Sequence, residues 1–205
     1  MLPQVTCGDG RSSDGEVFLK RQYHHGDLKA ALLQRGLEET RARGAESISL
    51  RGLAKSLGVS HVAVYRHFAH LDELIAGIAA EGFKLFIAAL ESVPQTGDAR
   101  RDLVAAGAAY VSFALSDPFV FRLMFSGSRR WLPEQEHWPK HAFDILLTRV
   151  QALGEPVERT QLRALALWST VHGLSDLLSS RMFDSQLTVE LDPQVFVKQV
   201  LETVV

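Results

Sequence analysis

Residues 49–68 read SLRGLAKSLGVSHVAVYRHF, and the reading of this stretch decides the fold. It predicts two short helices joined by a tight turn. Ser49 stands as an N-cap, its hydroxyl placed to accept from an orphan backbone N–H. Ile48 before it and Leu53 after it occupy the two positions of a hydrophobic staple. Leu53, Ala54 and Leu57 share one face of the first helix. Gly58 follows where a helix ends in a left-handed residue, a conformation glycine adopts without strain. Val59 plugs the corner and Ser60 caps the second helix. In that helix Val64 and Phe68 are four apart and point inward. His61, Val62, Ala63, Tyr65, Arg66 and His67 are left facing out. So short a helix has no stability of its own and must be held by packing. An exposed N-terminal end is how a recognition helix enters the major groove of DNA. The bland alternative is a small helical domain that happens to contain a helix, a glycine and a second helix.

GVSHVAVYRHF, with the capped helix before it and LDELIAGIAAEGF after it, resembles the DNA-binding domain of TetR-type bacterial transcriptional regulators. YHHGDLKAALLQRGLEETRARGAESISL resembles the first helix and loop of that domain. YVSFALSDPFVFRLMFSG and ALALWSTVHGLSDLL resemble the C-terminal domain of a subgroup marked by its Trp and His-Gly residues. These segments span most of the chain from about Tyr23 onward. The resemblance implies an all-α fold of about nine helices. It has a three-helix helix-turn-helix domain over 21–70 and a ligand-binding and dimerisation domain over 71–205, preceded by a disordered arm over 1–20. It implies a homodimer on a double-stranded DNA operator, most simply a repressor released by a small-molecule effector. One departure stands out. The family usually carries a Lys near the start of the fourth helix, where this chain has Leu71 preceded by His70. A phosphate contact is thus lost or supplied by His70, which keeps open a second reading: a helical interaction module that has lost DNA binding.

Composition agrees. The chain has 205 residues, 46% of them hydrophobic, and a formal net charge of -2. That length buries a substantial core. Residues 17–70 hold nine Lys/Arg against four Asp/Glu, while 71–205 hold twelve against seventeen. Five of the eight histidines precede position 71. A basic head on an acidic body suits a protein that holds DNA at one end. The single cysteine, Cys7, forms no internal disulfide, which points to a reducing cytoplasm. No apolar run approaches the ~20 residues of a membrane span, and no secretory signal pattern opens the sequence. Lys20 and Arg21 are candidates to touch phosphate from the arm.

The remaining helices follow from caps and breakers. Asp27 reads as the N-cap of a first helix with Ala30, Leu33 and Leu37 on one side, ended by Gly44. Thr40 sits where the family has a larger apolar residue, which predicts looser packing. A long fourth helix runs from about Leu71 to Leu90, with Asp72 and Glu73 near its positive end. A fifth spans about Asp98 to Ser116, and Asp117-Pro118 starts a short sixth. A seventh runs from Pro133 to Leu153, bent near Pro139, an eighth from Val157 to about Phe183, and a last one from about Pro193.

Roles follow from chemistry and the resemblance together. His61, Val62 and Ala63 lie at the entering end of the recognition helix, at base edges. His61 can donate to a purine acceptor, and Val62 and Ala63 can meet a thymine methyl. Tyr65 and His67 match phosphate-contacting positions of the family and set register, not sequence. Arg66 can do either. Ser60, Arg51, Lys55 and His70 are further phosphate candidates. For an effector, the aromatic-rich span from Tyr110 to Phe143 supplies Phe113 and Phe125, with Arg122 and Tyr110 as polar contacts. Trp168, His172 and Asp176 recur every four residues, so His172 and Asp176 can bond each other as a core pair or as the polar part of a pocket. Leu167, Val171, Leu174 and Leu178 form one apolar stripe of the eighth helix. Leu162, Leu165, Ala166, Ser169 and Gly173 form another. With Phe196 and Val200 of the last helix, the first stripe is assigned to a four-helix dimer interface.

An enzyme is the other class to weigh. His137 and His141, near Glu136 and Asp144, have feasible metal-ligand spacing, but EHWPKH is no HExxH and Pro139 lies between the histidines. The chain has no Gly-rich phosphate loop and no nucleophile elbow. No cofactor, metal or catalytic residue is assigned.

Overall fold

The computed structural model describes residues 28–126, 137–180 and 193–205. Among these, all regular structure is helical: α1 (Leu28–Arg43), α2 (Leu50–Leu57), α3 (His61–Tyr65), α4 (Leu71–Glu91), α5 (Ala99–Ser116), α6 (Pro118–Phe125), α7 (His137–Gln151), α8 (Val157–Ser179) and α9 (Pro193–Glu202). A short 3-10 turn, Ala45–Ser47, links α1 to α2. The expected roles of Lys20, Arg21 and Asp27, the start of the seventh helix before His137 and the extension of the eighth to Phe183 lie outside the described residues.

α4 organises the molecule. Leu74 through Ala80 are all buried, and Phe83, Phe86, Ile87 and Leu90 continue the burial to its far end. A helix apolar on all sides must be surrounded, and α1, α5, α6 and α7 pack around it. On α1 the buried residues are Leu28, Leu32, Gly36, Leu37 and Thr40. Ala30 is exposed and Leu33 only partly covered, which corrects the expected stripe. The reason is Gly36, where a Cβ would come within 2.9 Å of Ile78 Cγ1. The bare glycine backbone lets α4 approach on that side and sets the rotation of α1. Thr40 lies one turn on, fully buried, its hydroxyl donating to Gly36 O at 2.9 Å. The expected looser packing is not found there.

Phe86 is the hub of the aromatic core. It meets Tyr110 edge-on at 4.9 Å and Phe113 at 5.2 Å, and it touches Phe83, Phe125 and Trp168 at 6.2–6.5 Å. Edge-to-face pairs of this kind add stability beyond the burial of area. Arg149 of α7 is buried and donates to Leu90 O at 3.2 Å and Val93 O at 2.9 Å. It thereby satisfies carbonyls left over at the negative end of α4.

α5 and α6 meet at Asp117 with a bend of 107°. No single helix among the described residues is long and apolar enough to cross a membrane.

Candidate nucleic-acid interface and ligand cleft

The turn between α2 and α3 is built by local chemistry. Ser49 Oγ accepts from the Gly52 N–H at 3.0 Å, and Ser60 Oγ accepts from the Ala63 N–H at 3.2 Å. Gly58 is left-handed at φ 67°, and the Val59 N–H reaches back to Ala54 O at 3.0 Å. Val64 and Phe68 are buried and anchor α3 to the core. What remains outward is Ser60, His61, Val62, Tyr65, Arg66, His67 and His70, with Arg51 and Lys55 on α2. Val62 is 64% exposed and Tyr65 50% exposed, unusual for side chains with so much apolar surface. Ala63 differs from the rest of the expected set: it is half-buried and packs on the core.

At its other end α1 is tied to α6. Arg41 Nε and Nη2 donate to the two carboxylate oxygens of Asp117, each at 3.0 Å. Two parallel bonds of this kind fix orientation as well as distance. Phe119 packs against Gly44, and the Arg122 guanidinium lies 5.5 Å from the Phe119 ring centre.

The opposite side of α6 faces α8 across a cleft of about 420 Å³. Pro118, Phe121, Arg122, Phe125 and Ser126 form one wall, and His172, Asp176, Ser179 and Ser180 the other. Arg122, Phe125, His172 and Asp176 of the expected effector set thus come together. Tyr110 does not join them. It is buried, and its hydroxyl is 2.8 Å from His172 Nδ1. His172 therefore pairs with Tyr110 and not with Asp176, whose carboxylate is exposed. Burial pushes the Tyr110 phenol well above its ordinary range, so it stays protonated. Burial also holds the His172 imidazole below 6.5, opposed in part by Asp176. Phe113 packs on Phe86, while Trp168 lines a separate small apolar chamber with Leu103, Leu146 and Leu201. The sequence reading missed Ser179 and Ser180. Their signal was present, since Ser179 lies seven residues after His172, two turns along the same face.

Residues 32–78 match the family described as bacterial regulatory proteins, tetR family, and residues 103–204 match the one described as Tetracyclin repressor-like, C-terminal domain. The chain belongs to the TetR family. Solved structures agree. A protein of unknown function from Rhodococcus sp. RHA1 is 29% identical, with 90% of this chain and 96% of that one covered at a TM-score of 0.75. A transcriptional regulator from Rhodococcus sp. Rha1 is 25% identical, with 88% and 93% covered at 0.58. A bacterial regulatory protein in the tetR family from Rhodococcus RHA1 shares the fold at 21% identity, with 86% and 94% covered at 0.63. No curated protein matches.

A TetR-family regulator carries its helix-turn-helix for DNA, and here that element is α2–α3. The faces of α8 sort differently from expectation. Leu167 and Val171 are buried inside the chain's own core, and Leu174 and Leu178 are partly covered against it. The free side carries Leu162 at 70% exposure, Leu165 at 56% and Leu177 at 40%. Ser169 is exposed beside them, and a Cβ at Gly173 would meet nothing within 4 Å. Leu167 and Val171 are thus corrected from outer stripe to core, because α5 occupies that side of α8. On α9, Phe196 and Val200 are half-buried and Val195 is 44% exposed. His137 stacks on Trp138 and His141 lies 3.6 Å from Glu91. Among the described residues no three His, Cys, Asp or Glu side chains gather as metal ligands.

Proposed function

We propose that this TetR-family protein is a cytoplasmic homodimeric repressor that leaves a palindromic operator when a small molecule occupies the α6–α8 cleft. One observation carries the reading. α6 is a wall of the cleft on one side and is bonded to α1, through Arg41 and Asp117, on the other. α1 packs on both α2 and α3. A ligand that favours one position of α6 therefore biases the position of the recognition helix, in proportion to its differential affinity for the two states. Residues 21–70 act as the DNA-reading unit and 71–205 as the effector and dimer unit.

In this reading His61 and Val62 meet base edges, and Ala63 contributes little beyond packing. Tyr65, Arg66, His67, Ser60, His70, Arg51 and Lys55 meet phosphate. The free face of α8, with Leu162, Leu165, Ala166, Ser169 and Gly173, packs on its copy together with Val195 of α9. Small residues there permit close helix approach, and two half-sites about 34 Å apart need two recognition helices. The mechanism includes no catalytic step.

The test is selection of DNA from a random pool at moderate salt, followed by Tyr65→Phe and His61→Ala on the enriched sequence. An enriched palindrome, weakened evenly across sequences by Tyr65→Phe and altered in base preference by His61→Ala, is the expected result. A folded dimer that enriches nothing would favour the interaction module, which the missing Lys at position 71 also suits. Leu165→Arg should yield a monomer in sedimentation and abolish operator binding.

A further inference from the structure

We infer that the α6–α8 cleft takes a zwitterionic ligand, amino-acid-like in its charges, with a planar apolar body. This rests on the effector reading above and adds a ligand class to it. The cleft volume of about 420 Å³ lies within the roughly 300–1,000 Å³ of small-molecule pockets.

The apolar part of the argument is the ring cluster. Phe121 and Phe125 lie 4.9 Å apart. The His172 ring is 5.3 Å from Phe121 at a 38° tilt and 4.8 Å from Phe125 at 77°. These rings offer faces and edges to a flat apolar group.

The charged part is the pair on opposite walls. Arg122 on α6 and Asp176 on α8 both line the cleft and are both exposed. Among the described residues neither is in an ion pair: Arg122 rests over Phe119, and Asp176 acts on His172 only through its field. Among the described residues no other lining side chain carries a full charge, since the half-buried imidazole favours its neutral form. Glu46 lines a separate cavity on the far side of Arg122. A simple anion attracted by Arg122 meets Asp176, and a simple cation attracted by Asp176 meets Arg122. Only a ligand carrying both charges answers both walls, which is selection by complementarity on one side and repulsion on the other.

Two polar groups remain for orientation. Ser179 Oγ is buried without a hydrogen-bond partner among the described residues, a condition that native structures rarely leave unexplained. The Tyr110 hydroxyl and His172 Nδ1 are 2.8 Å apart and satisfy each other, which leaves Nε2 as the second polar atom of the ring.

The experiment uses three probes with one body: tryptophan, tryptamine and indole-3-propionate. Their affinities for the full-length dimer are measured by ligand-observed NMR. Tryptophan should bind roughly three- to tenfold more tightly than either singly charged analogue, the scale of partly exposed charge contacts. Arg122→Gln should erase its advantage over tryptamine, and Asp176→Asn its advantage over indole-3-propionate. Equal binding of the three probes, no binding of any of them, or indifference to both substitutions overturns the proposal. Release of operator DNA is followed in parallel. A compound that releases DNA equally from wild type and from both variants would sink the ligand class while leaving the effector reading intact. Failure of every compound to affect a DNA complex, with tryptophan bound as expected, would sink the effector reading instead.

Discussion

The bridge between Arg41 and Asp117 gives a sharp quantitative test, because it joins residues 76 positions apart and has no local reason to form. Its geometry is favourable, with two parallel bonds at 3.0 Å. Its surroundings are less so: the side chains are 38% and 21% exposed. At this exposure solvent screens most of the attraction, and a coupling of about 0.5–1 kcal/mol is expected, the upper part of the range for exposed pairs because the contact is bidentate. Asp117 makes no side-chain cap bond to α6, so Asp117→Asn removes the charge without uncapping the helix. Urea unfolding of wild type, Arg41→Gln, Asp117→Asn and the double variant closes the cycle. The coupling should fall by at least half at 1 M salt, where the screening length is about 3 Å. A coupling of zero at low salt would refute the bridge as a working link between α1 and α6. A coupling of about 2 kcal/mol that ignores salt would refute the screening argument instead. If α6 carries the effector signal, both single variants should also reduce the ligand-induced loss of DNA affinity.

Three further outcomes are expected. Gly58→Ala should cost about 1 kcal/mol in thermal or urea unfolding; a Cβ there meets nothing within 4 Å, so the whole cost is the left-handed backbone, and an unchanged stability would contradict it. Stability should fall on acidification below pH 6.5, the ordinary His value. The folded state binds fewer protons at His172 than the unfolded chain in that window, so stability rises with pH through it and levels off below the lowered folded value. His172→Gln should flatten that part of the profile, and an identical slope in the variant would show that His172 is not the group. Leu71→Lys should tighten DNA binding and steepen its dependence on log salt by about 0.9, as one added phosphate contact gives; an unchanged slope would mean that the start of α4 does not face phosphate.

The helix-turn-helix was legible because its determinants are local. Ser49, Gly58 and Ser60 each act on backbone within a few residues, and an inward Val64 and Phe68 follow from helical period alone. The same logic failed on α8. Both of its stripes are apolar, so period shows two candidate faces and cannot choose between them. The choice is made by α5, which covers Leu167 and Val171 and leaves Leu162 and Leu165 open. It failed again at His172, where Asp176 at i+4 was the charged partner within helical reach, while Tyr110, 62 residues away, makes the bond. Arg149 was invisible for a related reason. Nothing local distinguishes a buried arginine from a solvated one until the end of α4 arrives to accept from it.

α6 is where these long-range facts converge. Eight residues leave little room for specialisation, yet their period separates two jobs. Phe121 and Phe125, four apart, face the cleft and the His172 ring. Asp117 and Phe119, at the opposite end, meet Arg41 and Gly44 of the DNA-reading side. Val120, Leu123 and Met124 are buried between them, and a Cβ at Gly82 of α4 would come within 3.0 Å of Met124. That close contact leaves α6 no space to tilt freely, so it is expected to settle into discrete positions against α4, as close-packed interfaces do. Gly82→Ala is the perturbation that isolates this point. It touches neither the cleft nor the recognition helix. A Cβ there presses on Val120 and Met124 and should shift α6 even without ligand. The expected result is weaker operator binding with the helix-turn-helix residues unchanged, read by anisotropy on the selected palindrome. If Gly82→Ala lowered stability but left DNA affinity and ligand response at wild-type values, α6 would be a packing element only, and the coupling would have to run through another contact.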